Sequence, residues 1–168
     1  KEGGAIRARL KFARGSAGAY GLVSMPLTER ITTLLLPIKV INLGGRSKTG
    51  AIVAGAFKSA TNTAVDGAIV FVEGSTEDKF RITRPLGVTV DGKVYKNEEL
   101  SFNKTYVISM NVGVGADRIT IGSAYNGNGM ASVDIGKDLA FFNRSMSEPE
   151  LQAAAIEIVK KVKPEVLQ

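Results

Sequence analysis

Only one stretch of this 168-residue chain has the period of an α-helix, and it is the last one. Leu151, Ala155, Ile158, Val159 and Val162 recur at helical spacing and line one stripe. The start is legible in Ser147-Glu148-Pro149-Glu150. A serine three residues before a glutamate has capping-box spacing, proline suits a first turn, and both glutamates suit the positive helix end. Lys160, Lys161 and Lys163 suit the other end and Pro164 stops the run, so a helix is expected over 147–163.

Everything before it reads as short strands separated by turns. Ala5–Ala13 alternates, with Ile6, Ala8, Leu10 and Phe12 on one face and Arg7, Arg9 and Lys11 on the other. Residues 15–26 are small and Gly-rich and read as a loop. Ile31–Leu43 is apolar and β-branched but contains Pro37, which predicts two short strands or a bulged edge strand. Strands are further expected at 51–57, 67–73, 79–84, 86–90, 105–112 and 119–122, with one more over Ser132–Phe142. Asp91-Gly92 marks a tight hairpin, because a type I′ turn needs positive φ at both central residues. Many strands and a single helix predict an all-β, two-sheet antiparallel sandwich, one domain over 1–168.

Composition narrows the chemistry. The chain has neither cysteine nor histidine. Disulfides, thiolate nucleophiles, His-activated nucleophiles and the commonest transition-metal ligands are therefore closed to it. No apolar run approaches the roughly 18 residues of a membrane span, and no charged-then-apolar leader is visible. The net charge of +6 is uneven: residues 1–48 hold nine Lys/Arg against Glu2 and Glu29, and residues 49–168 hold thirteen against fourteen acids. The basic character belongs to the N-terminal quarter, where Arg7, Arg9 and Lys11 either guard a strand edge or dock an anionic surface or acidic subunit. That stripe has no interleaved aromatics, so nucleic acid is not the expected partner.

Ile119–Leu151 runs strand, Gly/Asn-rich loop, strand, helix start. Its Ile121-Gly122, the loop Ser123–Gly129, and Phe142, Asn143, Arg144, Met146, Ser147, Glu150 and Leu151 resemble the closing signature of laminin-G-like, concanavalin-A-like jelly rolls. Met146 stands where that family usually has leucine, a volume-conserving exchange. Gly87–Tyr106, a strand with a short hairpin before a strand opening on an aromatic, is similar to the family's midsection. The resemblance implies a jelly-roll sandwich with one C-terminal helix.

Within that family some members are glucanases, which need two carboxylates flanking the scissile bond. The Glu-x-Asp-x-x-Glu pattern of one such family is absent, Asp134-x-x-x-Asp138 spans the turn-prone Gly136, and Glu73, Glu77 and Asp78 sit in a polar turn. No catalysis is expected. The resemblance also implies rim Ca²⁺ in some members, for which Asn126, Asn128 and Asp134, with Asp66 or Asp117, are the candidate ligands. No dense acidic loop supports it, and no cofactor is expected. Tyr125 beside Asn126 and Asn128 suits a glycan better: a ring stacks on a sugar face, and amides match hydroxyls. Tyr20 and Tyr95, near other turns, extend that candidate surface.

The sequence therefore predicts a non-catalytic binding or attachment module for glycan or a partner protein. It is expected in a larger cell-surface or virion assembly (a phage tail, fibre or decoration component), as a homo-oligomer. The virion context follows from the Trp-free, Cys-free, Gly- and Ala-rich composition. The alternative is a purely structural assembly protein whose N-terminal basic strand and C-terminal helix are subunit contacts, with Ile156, off the main stripe, available for one.

Overall fold

The computed structural model describes residues 23–26, 33–42, 51–58, 63–74, 78–82, 87–111, 118–121, 132–136, 138–142 and 144–163. Among them are strands β1 (Val23–Pro26), β2 (Thr33–Asn42), β3 (Ala51–Lys58), β4 (Thr63–Gly74), β5 (Lys79–Ile82), β6 (Thr89–Val90), β7 (Lys93–Val94), β8 (Leu100–Ser101), β9 (Thr105–Asn111), β10 (Arg118–Ile121), β11 (Ser132–Ile135) and β12 (Ala140–Phe142). One helix, α1 (Glu148–Val162), follows. The strands form two antiparallel sheets, ordered β1-β10-β3-β4-β5-β8 and β11-β2-β9-β6-β7, with β12 also paired to β2. The predicted all-β, two-sheet chain with a C-terminal helix is what the fold shows.

β2 is the spine of the second sheet. Leu34, Leu35, Leu36, Ile38 and Val40 are all buried, so both of its faces are covered. On one face Leu35 joins Val107 of β9 in a cluster with Ala155, Ile158 and Val159 of α1. The helix stripe is thus spent inside its own chain. Ile156, off that stripe, is only half-buried and lies over Gly92 of the hairpin: a Cβ at Gly92 would stand 2.5 Å from its Cγ1. On the other side of the sheet Tyr106 of β9 meets Phe80 of β5 edge-on at 6.4 Å, a contact between the two sheets. The turn after β8 joins them as well, Phe102 N–H donating to Asp78 O and Asn103 N–H to Val40 O.

Three expectations need correction. Pro37 does not interrupt β2, which runs unbroken through it for ten residues and is an interior strand. A strand residue directs its N–H and C=O to the same side, and the Pro37 carbonyl accepts the Gly136 N–H at 2.7 Å. The missing proline N–H therefore faces the flank where the neighbouring chain itself breaks between β11 and β12, and no ladder bond is lost. For the same reason Ser132–Phe142 is two strands rather than one. At the break Gly136 comes so close that a Cβ would sit 2.8 Å from Pro37 Cβ. Finally, the Gly-rich stretch 15–26 ends in a strand, since β1 pairs with β10.

The Asp91-Gly92 hairpin forms as expected, joining β6 to β7 with φ of +51° and +78°. No helix among the described residues is long and apolar enough to cross a membrane.

Candidate functional site

Arg7, Arg9, Lys11, Tyr20, Tyr125, Asn126, Asn128, Asp117 and Glu77 lie outside the described residues. Asp66 falls on β4 and Asp134 on β11, where it pairs with Lys39 of β2. The register nonetheless relates the segments that carry them. β10 lies between β1 and β3, setting Ile121 beside both Val23 and Ala54, while Ser132 of β11 stands beside Asn42 of β2. Residues 43–50 lead from β2 to β3, and 122–131 from β10 to β11. Both connections thus join the same two pairs of neighbouring strands.

Tyr95 is the glycan candidate whose side chain is described. It is half-buried, and both capacities of its hydroxyl are occupied: it accepts the Ile82 N–H at 2.9 Å and donates to Glu98 O at 2.8 Å. Burial, more than anything else, pushes its phenol pKa upward. Tyr95 ties β5 to the turn after β7. In that turn the Glu98 carboxylate is held below its ordinary pKa by its own backbone N–H and that of Lys96, the latter at 2.8 Å. Glu99 is shared between Arg81 at 3.0 Å and Lys79 at 3.6 Å. These exposed pairs add little stability.

Contacts of Arg144, Met146, Ser147, Glu150 and Leu151 fix the start of α1. Ser147 caps α1, its N–H donating to Glu150 Oε2 at 2.8 Å and its Oγ lying 3.0 Å from the same oxygen. Glu150 also receives Arg144 Nη1 at 2.9 Å, and these contacts, Ser147 N–H first, lower its pKa. Met146 and Leu151 are buried. The Met146 peptide is gripped from both sides by Asn111 at the end of β9: Nδ2 donates to Met146 O at 2.6 Å, and Met146 N–H donates to Oδ1 at 3.0 Å. Thr33 Oγ1 lies 2.7 Å from both Asn111 Oδ1 and Arg144 O, so its one proton serves two acceptors.

The other end of the helix is fastened by a buried ion pair. Lys163 Nζ donates to Asp91 Oδ2 at 2.6 Å and lies 5.0 Å from the Tyr106 ring centre, with side-chain exposures of 6 % for Lys163 and 17 % for Asp91. Asp91 Oδ1 accepts the Val107 N–H at 2.9 Å, and the Asp91 N–H returns to Val107 O. Beneath the helix the hydroxyls of Thr89 and Ser109 bond to each other. Neither fastening shows in the sequence, where Asp91 stands in a hairpin turn and Asn111 within the strand expected over 105–112. Among the described residues no three Asp or Glu gather as a metal site would require. No family model, no curated protein and no solved structure matches the chain.

Proposed function

We propose that this chain is a non-catalytic binding or attachment module, built as a jelly-roll sandwich of the laminin-G/concanavalin type. In this reading it recognises glycan or a partner protein from loops at one end of its sheets, as an oligomeric part of a larger surface or virion assembly. The strand register carries the reading. Tyr20 stands three residues before Val23 and Tyr125 four after Ile121, and those two strand residues are partners. Asn128 stands four residues before Ser132. The segments carrying Tyr20 and Tyr125 therefore adjoin paired strand ends, and Asn126 and Asn128 lie on the same connection as Tyr125. Tyr95 is half-buried with its hydroxyl engaged internally, so in this reading it meets glycan through its ring and not its hydroxyl.

The alternative is a purely structural protein whose first proposed contact, the basic segment with Arg7, Arg9 and Lys11, lies outside the described residues. Its second contact, the helix, has its apolar stripe engaged in its own core. Deleting 152–168 would therefore unfold the chain and reveal nothing about assembly. The test is a glycan array on wild type, Tyr125→Ala and Asn126→Ala, with light scattering on the Arg7→Glu/Arg9→Glu variant. Array binding lost in both loop variants while the mass is unchanged supports the module. Loss of assembly in the arginine variant, with no glycan bound by wild type, supports the structural alternative.

A further inference from the structure

Asp91 and Gly92 form a sequence with a chemistry of its own. When a glycine follows aspartate, the glycine amide nitrogen is unshielded and can attack the aspartate carboxyl carbon. An N–Cγ bond forms, the Cγ–OH bond of the carboxyl group breaks, the amide proton leaves with that hydroxyl as water, and a five-membered succinimide results. Water then opens the ring at either carbonyl. Opening at Cγ restores aspartate, whereas opening at the main-chain carbonyl breaks the original C–N bond and leaves the chain routed through Cβ and Cγ. Water lost is water regained, so the process is an isomerisation that needs no other reactant.

For that attack Cγ must swing onto the Gly92 nitrogen, and each restraint on Asp91 opposes it. Oδ1 is held at 2.9 Å by the Val107 N–H of β9, and Oδ2 at 2.6 Å by Lys163 Nζ at the end of α1. The Asp91 N–H is bonded to Val107 O, which holds the backbone on the same neighbour. Ile156 covers the Gly92 Cα, and Gln152 O lies 3.4 Å from where its Cβ would be. Three of these contacts, from Gln152, Ile156 and Lys163, belong to the helix and its C-cap. We infer that Asp91-Gly92 is a latent isomerisation site kept closed by the docked C-terminal helix, so that release of the Lys163 end opens it to isoaspartate formation. The added main-chain carbon would destroy the Val90–Lys93 register of the hairpin. Accumulated time in the undocked state would thus be recorded covalently.

The test is peptide mapping of the full chain after neutral incubation, with electron-transfer fragmentation to separate aspartyl from isoaspartyl at residue 91. Asp66-Gly67 on β4 is resolved in the same map. Wild type is compared with Lys163→Met, Lys163→Arg and Ile156→Ala, and with wild type in urea. In the expected result native wild type stays unconverted at 91 while the urea sample converts. Lys163→Met converts about tenfold faster than native wild type, the factor to which ~1.4 kcal/mol of lost latching corresponds. Lys163→Arg stays close to wild type. The inference is overturned if Lys163→Met and Ile156→Ala convert at the wild-type rate. It is equally overturned if their rates equal their unfolded fraction, read by circular dichroism, multiplied by the urea rate. Should Lys163→Met not fold, Ile156→Ala and the native-to-urea ratio of wild type decide: a ratio near one refutes the closed site.

Discussion

Replacing Asn111 by alanine tests whether the entry to the helix is held by one side chain. Asn111 supplies both the donor to Met146 O and the acceptor for Met146 N–H, at 2.6 and 3.0 Å, and a second acceptor for Thr33 Oγ1. Met146 and Thr33 are buried, so water replaces these partners poorly. A net hydrogen bond contributes roughly 1 kcal/mol, and a stranded buried polar group costs about 1–3 kcal/mol. Counting about 1 kcal/mol for each of the two lost bonds, and at most the low end of that penalty for the Met146 groups they leave, gives about 2–3 kcal/mol. For a chain of this length that lowers Tm by roughly 5–10 °C. Asn111→Asp should do at least as badly, because a carboxylate oxygen would then face the Met146 carbonyl in place of the Nδ2 donor. The assay is urea unfolding of both variants, together with Thr33→Val and the double variant. Thr33 and Asn111 share a network, so the cycle should show non-additivity of about 0.5 kcal/mol or more. An Asn111→Ala midpoint within error of wild type, or strict additivity with Thr33→Val, would refute the reasoning.

Two further outcomes follow from the same contacts. Gly92→Ala should cost about 2–3 kcal/mol in urea unfolding, from a positive φ and from overpacking on Ile156. Adding Ile156→Ala should recover the packing part only, and full recovery would show that φ carries no cost. Glu150 is held below its ordinary 4.5 in the folded chain, so its contribution is present above that pH and is lost as pH falls through the lowered native value. Glu150→Gln should therefore flatten the fall of the urea midpoint between about pH 5 and pH 3, and a parallel fall in both proteins would show that the carboxylate is not responsible.

Local codes were readable because they act between near neighbours. Ser147, Pro149 and Glu150 define a helix start, and Asp91-Gly92 defines a turn, whatever surrounds them. The stretches Ile31–Leu43 and 105–112 likewise announce strands. That both faces of β2 are covered is not encoded locally, because an apolar run alone does not say what lies on either side. Pro37 misled for a related reason. A proline is tolerated in a sheet according to what its neighbour does, and that neighbour, the break at Gly136, is about a hundred residues away in sequence. The candidate site was legible only as residue types. Tyr95 carries the same aromatic signal as a stacking platform, but Ile82 and Glu98 claim its hydroxyl.

By itself the sequence determined the class of the fold: period-two segments, turn residues, one capped amphipathic helix, and no cysteine or histidine to staple or catalyse. Tertiary structure alone decided what the helix is for. Its stripe could serve a subunit or its own sheet equally well until Leu35 and Val107 met Ala155, Ile158 and Val159. Its two ends are fastened by Asn111 and Asp91, residues 35 and 72 positions from their partners Met146 and Lys163. Contacts over such separations leave no periodic trace in a sequence, because their energy depends on which groups close packing has already removed from water.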